Sequence, residues 1–425
     1  MIHIFQVIGE PYKYEEKEFL IGGESYVSCF CSEALRKYIR ESGGNVKLTI
    51  FVPESLLLNW SLEEICKKLN EKGMHNFEAL IVPSIGEYKK DGGYVRYTGN
   101  VEAISTSIFL HFLKIRPETF YIDVSTGLNI YPLNMLEATK RYLTYRKLER
   151  LLQENSHVKA YTVFSPPILK DVYSYQVEIQ PIDVKAFFSL PNANIDKIVR
   201  KCPESFRQKV GRINKEKSEL KRNVRKVTEE LKIAFNAIRL NVPLAFYELL
   251  DMNLPVEEIE KEIVDFVEAF LEPIEKEKLM EGLPVDGINV SNIFYSTALY
   301  KSIQKFVKTL SKPEIEEIFS RFSTVYRIKN LGIGVNEYFL LRDTEQIKET
   351  MKRAKIEEGK EELFGKLKYG ENFSESTSAK RNFFAHSGFL LEYTLLKVMR
   401  KKIYVRWLEN KRPEIKSWLL DPEKG

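Results

Sequence analysis

The residues best suited to chemistry stand in one segment near the C-terminus, STSAKRNFFAHSGFLLEY, which runs from Ser376 to Tyr393. One of the five histidines of the chain, His386, lies there five residues after Arg381, and an amide, Asn382, follows the arginine. The guanidinium of an arginine can donate two hydrogen bonds to an anion, an amide can orient that anion, and a histidine can carry protons near neutral pH. Together these side chains suit chemistry at a phosphate without a metal.

A purely structural role is the competing interpretation, because a histidine on a helix is more often structural than catalytic. Phe383, Phe384 and Ala385, which precede His386, are apolar, which places the polar pair at the edge of an interface. No cluster of carboxylates, histidines or cysteines nearby offers a metal site. RNA supplies its own nucleophile, the 2′-hydroxyl, so an enzyme need only move protons and stabilise a pentavalent phosphorane. Five residues turn an ideal helix by about 140°, which favours pairing of the two side chains between two chains.

The whole-chain composition indicates a globular protein. The 425 residues suggest two or three domains, and 44% hydrophobic with 29% charged residues excludes wholesale disorder. The four cysteines form no CxxC pair, which is typical of free thiols in a reducing compartment. The N-terminus lacks a basic signal region, and no apolar run approaches the ~20 residues of a membrane span. We therefore expect a soluble cytoplasmic protein that makes no membrane contact.

Two patterns of periodicity divide the chain. Apolar, β-rich runs alternate with helical stretches in the first ~185 residues, which predicts a parallel sheet covered on both faces. The runs are 2–9, 45–53, 78–86, 119–127 and 158–166, with a further strand predicted at 172–182. After a linker at 189–197 the helical period takes over, and 195–240 predicts one long helix or a helical pair. The fold class is thus α/β plus all-α.

The fourth apolar run ends in the turn DVSTGLN, a second candidate site. Ser125, Thr126, Gly127 and Asn129 place two hydroxyls, a permissive backbone and an amide where a strand leads into a helix. Such a turn favours an anion, although a simply capped helix start explains the same residues equally well. There is no GxGxxG after the first run and no GxxxxGKS in the chain, which disfavours dinucleotide and P-loop sites.

Positive charge is concentrated in two places. The segment 207–226 holds nine basic residues against two acidic ones, and a second cluster lies at 397–406. A solvated helix face and a phosphate-attracting surface both remain open as interpretations.

Two motifs together resemble a known family. The R-x4-H of RNFFAHSGF, with an asparagine after the arginine, resembles the signature of HEPN ribonucleases. DVSTGLN resembles the strand-four motif of CARF domains, D-x-[ST]-H-G-x-N. In this order, and over essentially the whole chain, they resemble the CRISPR-associated CARF–HEPN ribonucleases of type III systems.

That resemblance implies a Rossmann-like CARF domain at 1–185, a connecting region at 186–250 and a helical HEPN domain at 251–425. It implies a homodimer, or a higher oligomer, that cleaves single-stranded RNA without a metal in antiviral defence. The activator it implies is a cyclic oligoadenylate, with cyclic tetra-adenylate favoured, and no other cofactor.

The resemblance also assigns residues. By motif match Arg381 and His386 are catalytic and Asn382 supports them, while the residues of the ligand cleft are Gly9, Pro11, Ser125, Thr126, Gly127 and Asn129. Gly9 and Pro11 match the first-strand G-[DE]-P loop of the family. Thr126 stands where the family usually has histidine, so cleavage of the activator by this domain is left unassigned.

Two other function classes are alternatives. In one, the chain is a ligand-regulated transcription factor whose basic segment 207–226 grips DNA, although no helix-turn-helix stands beside that segment. In the other, the C-terminal part is a non-catalytic dimerisation or RNA-binding module.

Overall fold

The computed structural model describes residues 1–90, 93–125, 130–152, 158–166, 172–354, 356–374 and 377–423. Up to residue 182 strands and helices alternate. The strands are β1 (Ile2–Val7), β2 (Lys17–Ile21), β3 (Glu24–Ser28), β4 (Val46–Pro53), β5 (Phe77–Val82), β6 (Gly86–Lys90), β7 (Gly93–Tyr97), β8 (Thr119–Asp123), β9 (Lys159–Phe164), β10 (Ser174–Gln176) and β11 (Glu178–Ile182). The helices are α1 (Cys31–Glu41), α2 (Leu62–Glu71), α3 (Val101–Ile115) and α4 (Ile130–Glu149).

The main sheet has the strand order β11-β9-β8-β1-β4-β5, in which β11 is antiparallel and the other five strands are parallel. Those five strands lie in the five predicted apolar runs. Ile4 and Phe5 point to opposite faces of the sheet, and both are 0% exposed. Burial on both faces explains why these strands are continuous apolar runs, and the predicted α/β architecture is confirmed.

The segment 172–182 is not the single strand that its pattern predicted. β10 pairs with β2 in a small separate sheet, whereas β11 pairs with β9 in the main sheet. Between them Val177 is buried, and its N–H donates to the carbonyl of Leu20 at 3.0 Å. The β2–β3 hairpin was not predicted. It turns at Gly22 and Gly23, which have φ angles of 61° and 92° that favour glycine.

The rest of the described chain is mainly helical, as predicted. Its helices are α5 (Arg207–Glu216), α6 (Ser218–Arg239), α7 (Ala245–Glu248), α8 (Val256–Leu271), α9 (Gly287–Val307), α10 (Ile315–Tyr326), α11 (Val335–Ala354), α12 (Phe364–Tyr369), α13 (Ala379–Ala385) and α14 (Arg412–Leu420). The segment 195–240 contains a helical pair, α5 and α6, which break at Lys217. Short strands that were not predicted interrupt the helices: β12 (Ile274–Lys276), β13 (Leu279–Glu281), β14 (Glu361–Leu363), β15 (Thr394–Met399) and β16 (Lys402–Trp407).

One of these strands joins the helical part to the α/β part. β13 pairs in parallel with β7, giving a four-stranded sheet of order β12-β13-β7-β6. The N–H of Thr98 donates to the carbonyl of Met280 at 2.9 Å, and the N–H of Gly282 donates back to the carbonyl of Thr98 at 3.1 Å. A Cβ at position 282 would lie 2.6 Å from that carbonyl oxygen, so glycine permits the close approach.

Buried charges form a second connection between the two parts. Lys301 of α9 contacts Glu260 of α8, and its ammonium lies 3.1 Å from the hydroxyl of Tyr145 on α4. The same hydroxyl donates to Glu260 at 3.0 Å. Burial raises the pKa of Glu260. Burial acts the same way on Glu149, but hydrogen bonds and charge from Arg116 outweigh it and hold the pKa of Glu149 below its usual range. Lys301 and Glu260 keep all of these contacts only while α4, α8 and α9 stay together.

Candidate functional site

His386 lies at the end of a short helix. α13 stops at Ala385, and the N–H of His386 donates to the carbonyl of Asn382 at 3.1 Å. The next residues, Ser387 and Gly388, have φ angles of 51° and 77° and turn the chain away from the helix. The angle of 140° expected on a continuous helix therefore does not describe His386. Its ring is oriented by this left-handed turn.

A buried carboxylate stands behind the histidine. Asp343 of α11 has a side chain only 4% exposed, whereas the side chain of His386 is 49% exposed. Asp343 Oδ1 lies 3.7 Å from His386 Nδ1, too long for a hydrogen bond but close enough for van der Waals contact with the ring edge. The hydroxyl of Ser387 donates to Asp343 Oδ2 at 2.7 Å, and the amide of Asn241 donates to that hydroxyl at 2.8 Å. Residues on three separate segments thus fix the turn that carries His386.

Arginine at position 342 supports the same turn from outside. Arg342 Nε donates to Asp343 Oδ1 at 3.0 Å, and its Nη2 donates to the carbonyl of Ala385 at 3.1 Å. These bonds link the end of α13 to α11. Neither Arg342 nor Asp343 was identified as a site residue from the sequence.

The predicted catalytic arginine, Arg381, faces outward. Arg381 is exposed and makes no ion pair or hydrogen bond with the residues that the structure describes. Its neighbour Phe383 is 0% exposed and packs against Trp407 and Trp418, which anchors α13. Burial of the phenylalanine leaves the guanidinium of Arg381 available to an anion in solution.

Asn382 and His386 share a cavity of about 260 Å³, whose wall does not include Arg381. The remaining lining comes from two loops, 369–374 and 390–392. The structure therefore brings the predicted amide and histidine together, and it leaves the arginine on the exposed surface beside them.

A second cavity, of about 240 Å³, lies where strands β1 and β4 end. Gly9 lines it, and the N–H of Gly9 donates to the hydroxyl of Tyr14 at 2.9 Å. Burial raises the pKa of Tyr14 to about 12. Pro11 is buried and starts the single turn that follows, but it does not line the cavity.

Ser125 lies at the end of β8 and its contacts point inward. Its hydroxyl accepts a hydrogen bond from the N–H of Ser165, and its own N–H donates to Asp123 Oδ1, both at 2.9 Å. Asp123 is completely buried, and that burial raises the pKa of its carboxyl to about 6. In this structure Ser125 ties β8 to β9. The other predicted ligand residues, Thr126, Gly127 and Asn129, lie outside the described residues.

Sequence reasoning missed most of the cleft's side chains. Trp60 and Asn59 follow β4, Tyr88 and Lys89 belong to β6, and Tyr131 begins α4. The ring of Trp60 packs edge-to-face against Tyr12 with ring centres 5.4 Å apart. Their position just beyond parallel strand ends was the signal that could have found them.

The basic segment 207–226 forms α5 and the start of α6. Six of its nine basic side chains lie within 4.0 Å of a carboxylate. Asp196 alone receives both Lys221 and Arg225. These ion pairs favour the interpretation of 207–226 as a solvated helix face over its interpretation as a DNA-binding surface.

Neither a metal-binding cluster nor a membrane-spanning helix is present among the described residues. No group of three or more histidine, cysteine, aspartate or glutamate residues is placed to hold a metal ion. Within the same residues, no helix has the length and apolar character needed to cross a membrane. All four cysteines carry free thiols.

Comparison with known families matches two stretches of the chain. Residues 3–167 match the CRISPR system endoribonuclease Csx1, CARF domain, and residues 334–410 match the CRISPR system endoribonuclease Csx1, HEPN domain. Together the two matches cover more than half of the chain. No curated protein matches it.

The ligand-sensing α/β fold and the ribonuclease motif define a class, the ligand-regulated ribonucleases. Within that class the chain belongs to the CRISPR-associated CARF–HEPN ribonuclease family. The first matched stretch contains the cleft at the ends of β1 and β4, and the second contains His386 together with Asp343.

Proposed function

We propose that the protein cleaves single-stranded RNA by metal-independent transesterification when a cyclic oligoadenylate occupies the cleft beside Gly9. The observation that carries this proposal is the half-exposed imidazole of His386, held over the buried carboxylate of Asp343 and sharing a cavity with Asn382. A histidine in this setting can exchange protons with a bound substrate while its ring stays oriented.

In the proposed reaction the 2′-oxygen of the RNA attacks the adjacent phosphorus and the bond to the 5′-oxygen breaks. His386 takes the proton from the 2′-hydroxyl, and a second acid returns a proton to the departing 5′-oxygen. Arg381, exposed and free of ion pairs with described residues, stabilises the charge of the phosphorane. The products are a 2′,3′-cyclic phosphate and a 5′-hydroxyl.

The second acid is proposed to come from a second copy of the chain. One face of α11 is apolar and exposed: Val335, Tyr338 and Phe339 are 62%, 65% and 37% exposed. Arg342, which bonds the carbonyl before His386, lies on the same face one turn further along. Burial of this face in a homodimer would bring two copies of His386 to one composite site.

The activator is proposed to bind where Trp60 and Lys89 line the cleft. An indole ring can stack on adenine and an ammonium can pair with phosphate. A cyclic tetra-adenylate has rotational symmetry of its own, so a two-fold dimer can hold it with equivalent loops from both chains.

The shared sheet supports coupling between the two sites. Tyr88 lines the cleft on β6 and pairs with Val95 of β7, whose sheet continues into β13 of the helical part. Suppose that a ligand binds one arrangement of β6 more tightly than another. The difference between its two binding free energies would then favour the position of β13 that accompanies the first arrangement.

The experiment is incubation of labelled single-stranded RNA in EDTA, with and without cyclic tri-, tetra- and hexa-adenylate, followed by analysis of the product ends. We expect cleavage with one ring size and 2′,3′-cyclic phosphate ends. A strict requirement for Mg²⁺ or Mn²⁺, or products with 5′-phosphates, would contradict the mechanism.

A further inference from the structure

The cavity beside His386 contains more than the groups that the reaction needs. Besides His386 and Asn382, its wall includes two aromatic rings, Tyr369 and Phe373, and a buried carboxylate, Glu392. At about 260 Å³ it falls just below the roughly 300–1,000 Å³ of pockets that hold whole ligands, so it suits a single ring system.

The ring of Phe373 is held in place by a glycine. A Cβ added to Gly365 on α12 would lie 2.3 Å from Cε2 of that ring, so the ring packs directly on the glycine backbone. The N–H of Gly365 also donates to the carbonyl of Leu391 at 2.9 Å, which joins α12 to the opposite wall of the cavity. The cavity is therefore supported from both sides by contacts that involve neither His386 nor Asp343.

An aromatic ring and a cation lie next to each other on α12 at the edge of the cavity. Tyr369 is 51% exposed, and the ammonium of Lys368 lies 5.2 Å from the centre of its ring. A half-exposed ring beside a cation is suited to an unpaired nucleobase and its phosphate.

We propose that this cavity binds one nucleobase of the RNA next to the scissile phosphate and thereby sets the base preference of cleavage. This inference rests on the proposed ribonuclease reaction at His386. The base stacks against Tyr369 and Phe373. The carboxylate of Glu392, only 4% exposed, accepts a hydrogen bond from the exocyclic amino group of the base.

The carboxylate predicts which bases are favoured. Adenine, cytosine and guanine each carry an exocyclic amino group that can donate to Glu392. Uracil has no exocyclic amino group, and the carbonyl oxygens on each side of its N3–H cannot donate to Glu392. Cleavage should therefore be slower when uracil occupies the cavity.

The test uses DNA oligonucleotides that contain a single ribonucleotide, so that only one position has a 2′-hydroxyl. One set varies the base of the ribonucleotide among A, C, G and U, and a second set varies the base on its 3′ side. We expect uracil to be disfavoured in one of the two sets. The substitutions Tyr369→Ala and Phe373→Ala should each lower kcat/KM for the favoured bases about five- to 150-fold, the range that stacking of one base supplies.

Matched variants separate stacking from folding. Tyr369→Phe keeps the ring and should retain nearly full activity, and Tyr173→Ala removes a 74% exposed tyrosine of the α/β part as a control. Gly365→Ala should displace the Phe373 ring and mimic its loss. Glu392→Gln, which adds an amide donor, should reduce the disadvantage of uracil.

A binding measurement keeps this proposal distinct from the cleavage reaction. Fluorescence of 2-aminopurine in an all-DNA oligonucleotide should be quenched by the wild-type protein and less by Phe373→Ala. Quenching without cleavage would sink the proposed function and leave the base site standing. The base site would be contradicted if all four bases gave equal rates in both substrate sets and if Tyr369→Ala and Phe373→Ala were no slower than Tyr173→Ala. The ribonuclease function would then still stand.

Discussion

The two candidate sites are built in opposite ways. The cleft beside Gly9 lies where parallel strands end, and its lining includes three aromatic side chains, Trp60, Tyr88 and Tyr131. His386 instead follows a helix of seven residues, and Asp343 of α11 and Asn241, in the turn after α6, orient it through Ser387. The first site follows from the topology of a sheet, whereas the second depends on contacts between residues distant in the chain. The difference implies that substitutions should affect ligand binding locally and cleavage from farther away.

The largest expected effect tests whether His386 is needed for cleavage and not for activator binding. His386→Ala removes the proton carrier and should lower cleavage about 10²- to 10⁴-fold, while the affinity for cyclic oligoadenylate stays unchanged. Parallel titrations of cleavage and activator binding measure both quantities. His75→Ala, which changes an exposed histidine of the α/β part, is the control. Loss of activator binding in His386→Ala would mean that the two sites do not have separate roles.

The second prediction concerns the buried carboxyl of Asp123 at the end of β8. Because the pKa of Asp123 is raised to about 6 in the folded chain, the native state keeps a proton that the unfolded state has lost above about pH 4. Stability should therefore fall by about 3 kcal/mol as the pH rises from 4 to above 6. Asp123→Asn removes this dependence.

Urea unfolding of wild type and Asp123→Asn across that pH range measures the effect, with the exposed Asp251→Asn as control. A free-energy difference between wild type and Asp123→Asn that is constant with pH would contradict the burial argument. A decrease in wild-type stability that is absent in Asp123→Asn would confirm that burial raises the pKa of this carboxyl.

The third prediction tests positioning over distance. Asp343→Asn removes the charge behind His386 and should lower kcat roughly ten- to a hundredfold with little change in KM, as for other partners that orient a catalytic side chain. Asp343→Glu should recover part of the loss. Long-range ¹H–¹⁵N spectra of the imidazoles would report a changed His386 ring. An unchanged kcat in Asp343→Asn would mean that the turn alone orients the histidine.

The smallest expected effect is at the cleft. Trp60→Ala removes a stacking surface and should shift the activation midpoint about tenfold towards higher activator concentration, with the cleavage plateau retained. Trp60→Phe, which keeps a ring, should shift it less. A lower plateau at an unchanged midpoint would assign Trp60 to coupling between the sites.

The same contrast explains what the sequence could predict. The five parallel strands were predicted because burial on both faces leaves an uninterrupted apolar run. The β2–β3 hairpin was missed although Gly22 and Gly23 are a strong turn signal, because its strands are short and half-exposed. The division between β10 and β11 was missed because apolar alternation continues through Val177. Strands β12 to β16 have three to six residues each, too few to stand out against helical neighbours.

At the candidate sites, motifs located side chains but not their partners. Arg381, Asn382 and His386 are recognisable from spacing within six residues. Asp343 and Asn241 lie far from them in the chain, and no local pattern relates an aspartate in the middle of α11 to a histidine after α13. Only tertiary packing specifies that relation.

The pairing of β7 with β13 has a consequence for synthesis of the chain. The α/β part cannot complete the sheet that carries β6 and β7 until residues 279–281 have left the ribosome, well after its own last strand, β11. Until then the edge of β7 offers unpaired N–H and C=O groups to any passing strand. A nascent α/β part would thus be exposed to incorrect strand pairing throughout the translation of α5 to α8, and it would need β13 of the helical part to complete its sheet.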